Sequence, residues 1–343
     1  ARAEAEVDDP LIHRRVLGRY RVVRPLAVGG MGIIYLGRSE GAAGFAKPVV
    51  IKRVIPDFAA ADSNALEFFI REATILAQLR DPSIVSVLDF GEDEGAYTMV
   101  LEYVHGFHLG QWLRYHQRAD LDFPSDLAIH IVCIVLDALH HAHNLAQPDG
   151  TTLRVVHRDV TPSNVLIDID GHVKLADFGI ARISREDDEK TQSGLLRGKM
   201  AYIAPELLHG QAASIASDVY SAGVMLHELI QGRNDFRSDV PAETVRLVLH
   251  AEPTPLEVVR RDVPKGLDAV LKRALAKDPK QRYASAREFR EALRAVMPTS
   301  SDELQRKLDE ATAADFAYKL PDALNVEPLA DRESAWRNAP TSV

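Results

Sequence analysis

The segment of residues 155–167, VVHRDVTPSNVLI, places a polar cluster between two runs of mainly β-branched residues. Such runs favour buried strands, and polar groups cost free energy when they are buried without a purpose. We therefore expect the cluster, which contains His157, Arg158, Asp159 and Asn164, to mark a functional site. The need to accommodate this cluster is the first constraint on the fold.

A second carboxylate follows the cluster at a short distance along the chain. The segment IDIDGHVKLA reads as a hairpin, and it leads directly to Asp177 of the sequence Asp-Phe-Gly. A hairpin places Asp177 on a neighbouring strand end, beside Asp159. Phosphoryl transfer requires such groups: Asp159 would align the acceptor hydroxyl or accept its proton, while Asn164 and Asp177 would offer oxygen ligands to Mg²⁺.

A glycine cluster lies near the N-terminus between two predicted strands. Gly29, Gly30 and Gly32 belong to AVGGMGIIYLG, and glycine lets backbone N–H groups approach phosphate oxygens because it has no Cβ. An ordinary glycine hairpin turn accounts for the same pattern equally well. By itself, this segment predicts a phosphate-binding loop only weakly.

A lysine and a glutamate that could form an ion pair follow this loop. Lys52 ends the predicted strand VVIK, and Glu72 lies on a helix predicted over residues 63–79 from its apolar spacing. An ion pair between them would hold the lysine against phosphates. Two unrelated, solvated surface charges are the alternative.

The order of elements predicts an α+β fold with two lobes. The first hundred residues are rich in strand patterns with one helix, and helical patterns dominate afterwards. We predict helices over residues 124–145, 219–231, 242–250, 267–276 and 284–296. The expected domains are an extension at 1–18, a two-lobed domain at 19–297 with lobes 19–103 and 104–297, and a segment at 298–343 with a helix from Asp302 to about Leu320 and a flexible tail.

Composition narrows the partners and the compartment. The net charge of −9 argues against a general role on nucleic acid, which requires clustered cations. The single cysteine, Cys133, allows no disulfide within the chain and indicates a reducing compartment. By our reading, no apolar stretch approaches the roughly 20 residues of a membrane span, so we expect a cytoplasmic location.

Taken together, these segments resemble the signature set of the protein kinases in its usual order. HRDVTPSN, DFG, APE at residues 204–206 and DVYSAG at residues 218–223 carry the resemblance, which covers about residues 20–297. The GGMG loop and the helix segment at residues 70–73 are similar to those of the bacterial eukaryotic-like serine/threonine kinases. The resemblance implies ATP and Mg²⁺ as cofactors, protein substrates, and transfer of the γ-phosphate to Ser or Thr hydroxyls.

The resemblance also implies roles for further residues. Leu101 would be the gatekeeper, and Glu206 would pair with Arg282 to brace the peptide-binding region. Asp218 would bind the backbone of the HRD turn. The remaining residues implied for adenine binding are Ile34, Val50 and Leu166 through their side chains, and Glu102 and Val104 through their backbones.

Four positions depart from the family pattern. Ala27 stands in place of the first loop glycine, and Val50 in place of the alanine above adenine, where extra methyl groups could crowd the base. Thr161 replaces the lysine that contacts the transferred phosphate, and Lys199 replaces a threonine before APE. We expect Lys199 to supply the missing positive charge near Asp159, and therefore count it among the catalytic residues.

These departures leave a second interpretation of the function open. The alternative is a pseudokinase that binds nucleotide and acts as a scaffold or allosteric regulator.

In an active kinase, Arg158 could pair with a phosphate on the activation segment. Thr191 and Ser193 are the first candidates to carry that phosphate, and Ser184 is a weaker one. A regulatory partner could bind through the C-terminal tail.

Overall fold

A computed structural model describes residue 9 and residues 11–28, 32–54, 63–147, 149–179, 198–297 and 299–318. Within this part of the chain, a smaller lobe consists of a β-sheet with one helix, and a larger lobe is mainly helical. The α+β, two-lobed fold predicted from the sequence is therefore confirmed.

The sheet of the small lobe is antiparallel, with the strand order β1-β2-β3-β4-β6-β5. The strand-rich pattern predicted for the first hundred residues is confirmed by this sheet, whereas Ile84 lies outside its strands and forms an isolated bridge to Leu175 of the large lobe. The strands are β1 (Arg15–Val16), β2 (Tyr20–Val28), β3 (Gly32–Glu40), β4 (Ala46–Val54), β5 (Val87–Asp93) and β6 (Ala96–Glu102).

Alternation along β4 separates the two faces of this sheet. Val49 and Ile51 are fully buried in an apolar cluster on one face, together with Val100 of β6. Because side chains alternate along a strand, Val50 and Lys52 lie on the opposite face. That face is the one that borders the candidate active site.

The one helix of the small lobe within the described residues is α1 (Ser63–Leu76), which ends three residues before the predicted end. Phe69, Ala73 and Leu76 are buried at the spacing of one helical face. Glu72 lies on the same face and is only 3% exposed. Apolar packing of this face therefore carries a carboxylate into the interior.

The large lobe is built around α3, whose residues Ile131, Val132 and Leu136 are fully buried. The predicted helices are confirmed to within four residues at each end, whereas α2 had not been predicted. The helices are α2 (Leu109–Ala119), α3 (Ser125–His143), α4 (Pro205–Leu208), α5 (Ile215–Gln231), α6 (Pro241–His250), α7 (Leu256–Val259), α8 (Leu267–Ala274) and α9 (Ala286–Val296).

In length and apolar composition, α3 matches a membrane-spanning helix, contrary to the expectation that no segment comes close. In an apolar stretch of 18 residues within this helix, 72% is nevertheless buried inside the protein. Its apolar character is therefore accounted for by its central position in the core.

Two small sheets complete the fold. β7 (Gly106–His108), β10 (Val165–Asp168) and β11 (Val173–Leu175) form an antiparallel sheet with β10 in the centre. β8 (Leu145–Ala146) and β9 (Thr152–Leu153) form a short hairpin in the long connector before the HRD turn. β10 and β11 matter most for the site, because Asn164 directly precedes β10 and Asp177 follows β11 by two residues.

The last described helix, α10 (Ser301–Tyr318), packs on the large lobe. Leu304, Leu308 and Thr312 are fully buried, and Gln305 Oε1 lies 3.1 Å from Nε2 of His130 on α3. The predicted C-terminal helix is thus present as a docked element. The predicted flexible tail lies outside the described residues.

Candidate active site

Lys52 stands between two carboxylates. Its Nζ donates to Glu72 Oε1 at 3.1 Å and lies 3.6 Å from Asp177 Oδ1. Burial opposes the positive charge, but the carboxylates of Glu72 and Asp177 outweigh it and raise the pKa of Lys52 above its usual value. Lys52 is therefore charged at neutral pH and in position to attract phosphate oxygens.

Asp159 is held from two sides. Asn164 Nδ2 donates to the Asp159 carbonyl oxygen at 2.8 Å and to Oδ2 at 2.9 Å, and Lys199 Nζ donates to the same Oδ2 at 2.6 Å. Thr161, in the position where the resemblance implies lysine, is buried and bonds to Ser163 Oγ at 3.1 Å. Lys199 thus places a cation against the carboxylate.

Asp218 supports the turn that carries Asp159, as the resemblance implied. Its carboxylate accepts the backbone N–H groups of His157 and Arg158, each at 2.8 Å. Arg158 has φ 68°, a backbone conformation that costs energy in a non-glycine residue and is common at functional sites. These two hydrogen bonds stabilise the strained turn.

His157 connects the turn to the DFG segment. Burial lowers the pKa of His157, so the ring is neutral, with Nδ1 accepting the Asp159 N–H at 3.2 Å and Nε2 donating to Ala176 O at 3.1 Å. The ring also packs on Phe178, with 4.4 Å between centroids. The two segments that bear the predicted catalytic and metal-binding carboxylates are therefore bonded into one unit.

Asn164 and Asp177 have the donor atoms that Mg²⁺ prefers. Asn164 uses Nδ2 for Asp159, which leaves the amide oxygen Oδ1 as its metal-ligand atom. Ala176 N donates to Asn164 O at 2.8 Å, so the residue before Asp177 is bonded directly to Asn164. Asp177 has φ 53° and a half-exposed side chain. Two hard oxygen donors at the cleft fit a magnesium ion.

Strand register brings the predicted nucleotide-binding side chains to one face of the sheet. Residues directly opposite each other on neighbouring antiparallel strands project to the same face, and the pairs are Ala27 with Ile34, Ile34 with Lys52, and Val50 with Leu101. Ala27 lies in extended strand, so it needs no glycine-like backbone. All five residues therefore share the face that carries Lys52.

Gly32 is the loop glycine that lies within the described residues. A Cβ at this position would stand 2.0 Å from Arg53 O, so the approach of β3 to β4 excludes any side chain. Gly29 and Gly30, the other predicted phosphate-binding glycines, lie outside the described residues.

The connection between the lobes is fixed by Glu102. The side-chain oxygen Oε1 of Glu102 accepts hydrogen bonds from Lys174 Nζ at 3.0 Å and from Ser86 N at 2.8 Å. The backbone N–H of Glu102 donates to Ser86 O. The backbone carbonyl of Glu102 is therefore the group that it can offer to adenine. Val104 follows two residues later and is partly exposed. Leu166, also partly exposed, lies on β10 opposite Lys174.

Glu206 and Arg282 form a buried ion pair. Arg282 donates to both carboxylate oxygens at 2.8 and 2.7 Å, and the side chains are 4% and 0% exposed. Ser217 Oγ adds a hydrogen bond to Glu206 at 2.7 Å. Burial acts against ionisation, but the hydrogen bonds and charge of Arg282 prevail and lower the pKa of Glu206.

Sequence reasoning missed several residues around the site. Among these are His143, which bonds to Asp218 at 2.8 Å, and Lys174, which bonds to Glu102. Neither has a local sequence signal, because each contact depends on packing between distant segments. By contrast, α2 had a detectable signal, since its buried residues follow helical spacing at Leu109, Trp112, Leu113 and His116.

The family model of the protein kinase domain matches residues 20–294. This chain belongs to the protein kinase family. Its relatives include the tyrosine-protein kinase MasK of Myxococcus xanthus, 34% identical over 280 residues, which are 82% of this chain and 43% of that protein. The serine/threonine-protein kinase PrkC of Bacillus subtilis is 31% identical over 297 residues, 87% of this chain and 43% of that protein.

The serine/threonine-protein kinase PknB of Mycobacterium leprae is 33% identical over 328 residues, 92% of this chain and 50% of that protein. This chain therefore spans half or less of the length of these bacterial relatives. Among solved structures, the PknI kinase domain of Mycobacterium tuberculosis matches with a TM-score of 0.61 and 30% identity, over 84% of this chain and 100% of that one. The expected resemblance to bacterial kinases is confirmed.

Proposed function

We propose that this chain transfers the γ-phosphate of Mg-ATP to Ser or Thr hydroxyls of proteins. The observation that carries the proposal is the assembly of six groups around one cleft, in two bonded sets of three. Lys52 contacts Glu72 and Asp177, and Asp159 contacts Asn164 and Lys199. These are the positioning and charge-bearing groups that phosphoryl transfer requires.

Each side chain has a distinct part in this proposal. Asn164 and Asp177 would hold magnesium, which when bound neutralises charge on the phosphates. Lys52 would bind phosphate oxygens, with Glu72 fixing its position. Asp159, whose orientation Asn164 and Lys199 set, would align the acceptor hydroxyl.

Lys199 would act in place of the missing lysine at position 161. Its Nζ is 2.6 Å from Asp159 Oδ2 and its side chain is 25% exposed, so it faces the cleft rather than the core. A positive charge next to the acceptor carboxylate can stabilise the negative charge on the transferred group. This contact supports a catalytic role for Lys199.

The pseudokinase alternative is not favoured. Ala27 fits an extended strand, and the charge lost at Thr161 is matched by Lys199 in contact with Asp159. A scaffold would have no need to keep a buried charge such as that of Glu72, because removing a charge from water costs free energy even when the charge is paired.

The acceptor class requires a direct test, because MasK is named a tyrosine kinase whereas PrkC and PknB are named serine/threonine kinases. We would incubate wild type and Asp159→Asn with radiolabelled ATP and a general protein substrate, then analyse the phosphorylated residues. The expected result is phosphoserine and phosphothreonine with wild type and near-complete loss with Asp159→Asn. Phosphotyrosine alone, or label that survives the substitution, would overturn the proposal.

Regulation by autophosphorylation belongs to the same proposal. Thr191, Ser193 and Ser184 lie outside the described residues, and Arg158 beside Asp159 is the cation that would pair with a phosphate there. Mass spectrometry after incubation with Mg-ATP tests this: no phosphate between residues 184 and 193 contradicts it.

The proposal extends to the cellular setting. A cytoplasmic site of action fits a single cysteine that is buried and unpaired, and the docked α10 offers a place for a regulatory partner to act. The negative net charge does not favour nucleic acid.

A further inference from the structure

A cleft of about 560 Å³ lies beside Asp159, between α2, the turn at Pro162 and the N-terminal end of the APE segment. Lys199, which contacts Asp159, forms part of its wall. A protein segment whose hydroxyl reaches Asp159 can therefore lie in this cleft. Its charged lining residues are Arg114, Lys199, Glu228 and Arg237, with His108 as a further titratable group.

The carboxylate of the cleft, Glu228, is engaged by its neighbours. It is 2% exposed, and its Oε2 accepts the Tyr202 hydroxyl and Asn234 Nδ2, the latter at 3.1 Å. Arg237 lies 3.5 Å from Oε1. Burial and the adjacent carboxylate raise the pKa of Tyr202 well above its usual value, so the phenol remains a donor. A basic substrate residue would have to displace these partners to reach Glu228.

Two cations of the cleft are paired with carboxylates, and a third is exposed. Lys199 is paired with Asp159, and Arg237 with Glu228, although the Arg237 side chain remains 43% exposed. Arg114 is exposed on α2, and its charge together with burial lowers the pKa of His108 to about 4, which keeps that ring neutral. Arg114 therefore carries the excess positive charge among the described residues of this cleft.

From this charge arrangement we propose that the cleft selects substrates whose Ser or Thr is flanked by acidic residues, with Arg114 as the specificity-determining residue. The inference rests on the kinase activity proposed above. An exposed guanidinium at the entrance of a cleft attracts carboxylates, in contrast to the net negative charge of the whole chain. The chain's own acidic run at residues 186–189 lies two to five residues from both Ser184 and Thr191, so the proposal includes a second copy of the chain among the substrates to be tested.

The test compares two peptides that share a central threonine and differ only in flanking residues, glutamate in one and lysine in the other. A third peptide with alanine flanks is the reference. We expect wild type to favour the glutamate peptide in kcat/KM by roughly fivefold or more, as expected for exposed charge pairs. The preference should shrink when salt rises from about 50 mM to about 500 mM.

Arg114→Glu should reduce or reverse the preference, because it lowers kcat/KM for the glutamate peptide and raises it for the lysine peptide. Arg118→Glu is the matched control, because Arg118 is exposed on the same helix and does not line the cleft. An equal rate with glutamate and lysine peptides, or the same loss in both variants, would overturn the inference while the kinase activity stands. If wild type labels none of the three peptides and no protein substrate, both proposals fail.

Discussion

Arg282→Met tests the buried ion pair between Glu206 and Arg282 in the large lobe. The substitution removes two hydrogen bonds to Glu206 and those to the carbonyl oxygens of Ala216, Ala276 and Lys277, and it leaves Glu206 charged at 4% exposure. Loss of one partner from a buried pair costs about 3–5 kcal/mol. Since whole-protein stabilities are about 5–15 kcal/mol, this is a large fraction.

The free energy of unfolding can be measured by urea denaturation, with a second readout from Cys133. This thiol is fully buried, and burial raises its pKa to about 12, so it should react with a thiol reagent at neutral pH only after unfolding. Glu206→Gln is the companion variant, because it removes the charge and keeps the side-chain shape. The double variant Glu206→Met with Arg282→Met should cost less than the sum of the two single Met variants.

The pH dependence of the free energy of unfolding gives an independent check on the ion pair. The pKa of Glu206 is lower in the folded protein than its usual value of 4.5, so its ionisation stabilises the fold above that pH. The contribution should decline as pH falls through the folded-state pKa, and it should be absent in Glu206→Gln. A loss below about 1 kcal/mol in Arg282→Met, or strictly additive Met variants, would refute the reasoning.

Three further predictions concern the site and its support. Lys199→Ala should lower kcat by about 100-fold with Lys199→Arg restoring part of it, as steady-state kinetics would show; an unchanged turnover would end its catalytic role. Gly171→Ala should destabilise the fold by about 2–4 kcal/mol, because φ is +80° and the new Cβ would lie 2.3 Å from Asp309 Oδ1. Gly150→Ala is the control, because Gly150 has a similar φ of +82° and open space around it. Equal losses in the free energy of unfolding for the two variants, measured by urea denaturation, would contradict the proposed clash. Val50→Ala should lower the KM for ATP about twofold to fivefold by making room over the base, and a KM that stays the same or rises in an ATP titration would argue against crowding.

Local patterns were sufficient for most of the fold. The helix α1 was predicted because Phe69, Ala73 and Leu76 repeat at helical spacing. The strand β4 was predicted because the segment at residues 49–51 consists of β-branched residues. The missed helix α2 also carries this signal in Leu109 and Trp112. The apolar spacing of the sequence is therefore sufficient to predict this helix.

The sequence by itself also determined which chemical groups are available, because motifs such as HRD and DFG hold their residues at fixed local spacing. It did not determine which groups meet. The contacts of Lys52 with Asp177, of Lys174 with Glu102 and of Arg237 with Glu228 join separate segments. Only the tertiary structure decides such pairs, because the energy of a charge depends on its burial and its neighbours, and both are set by packing across the whole chain.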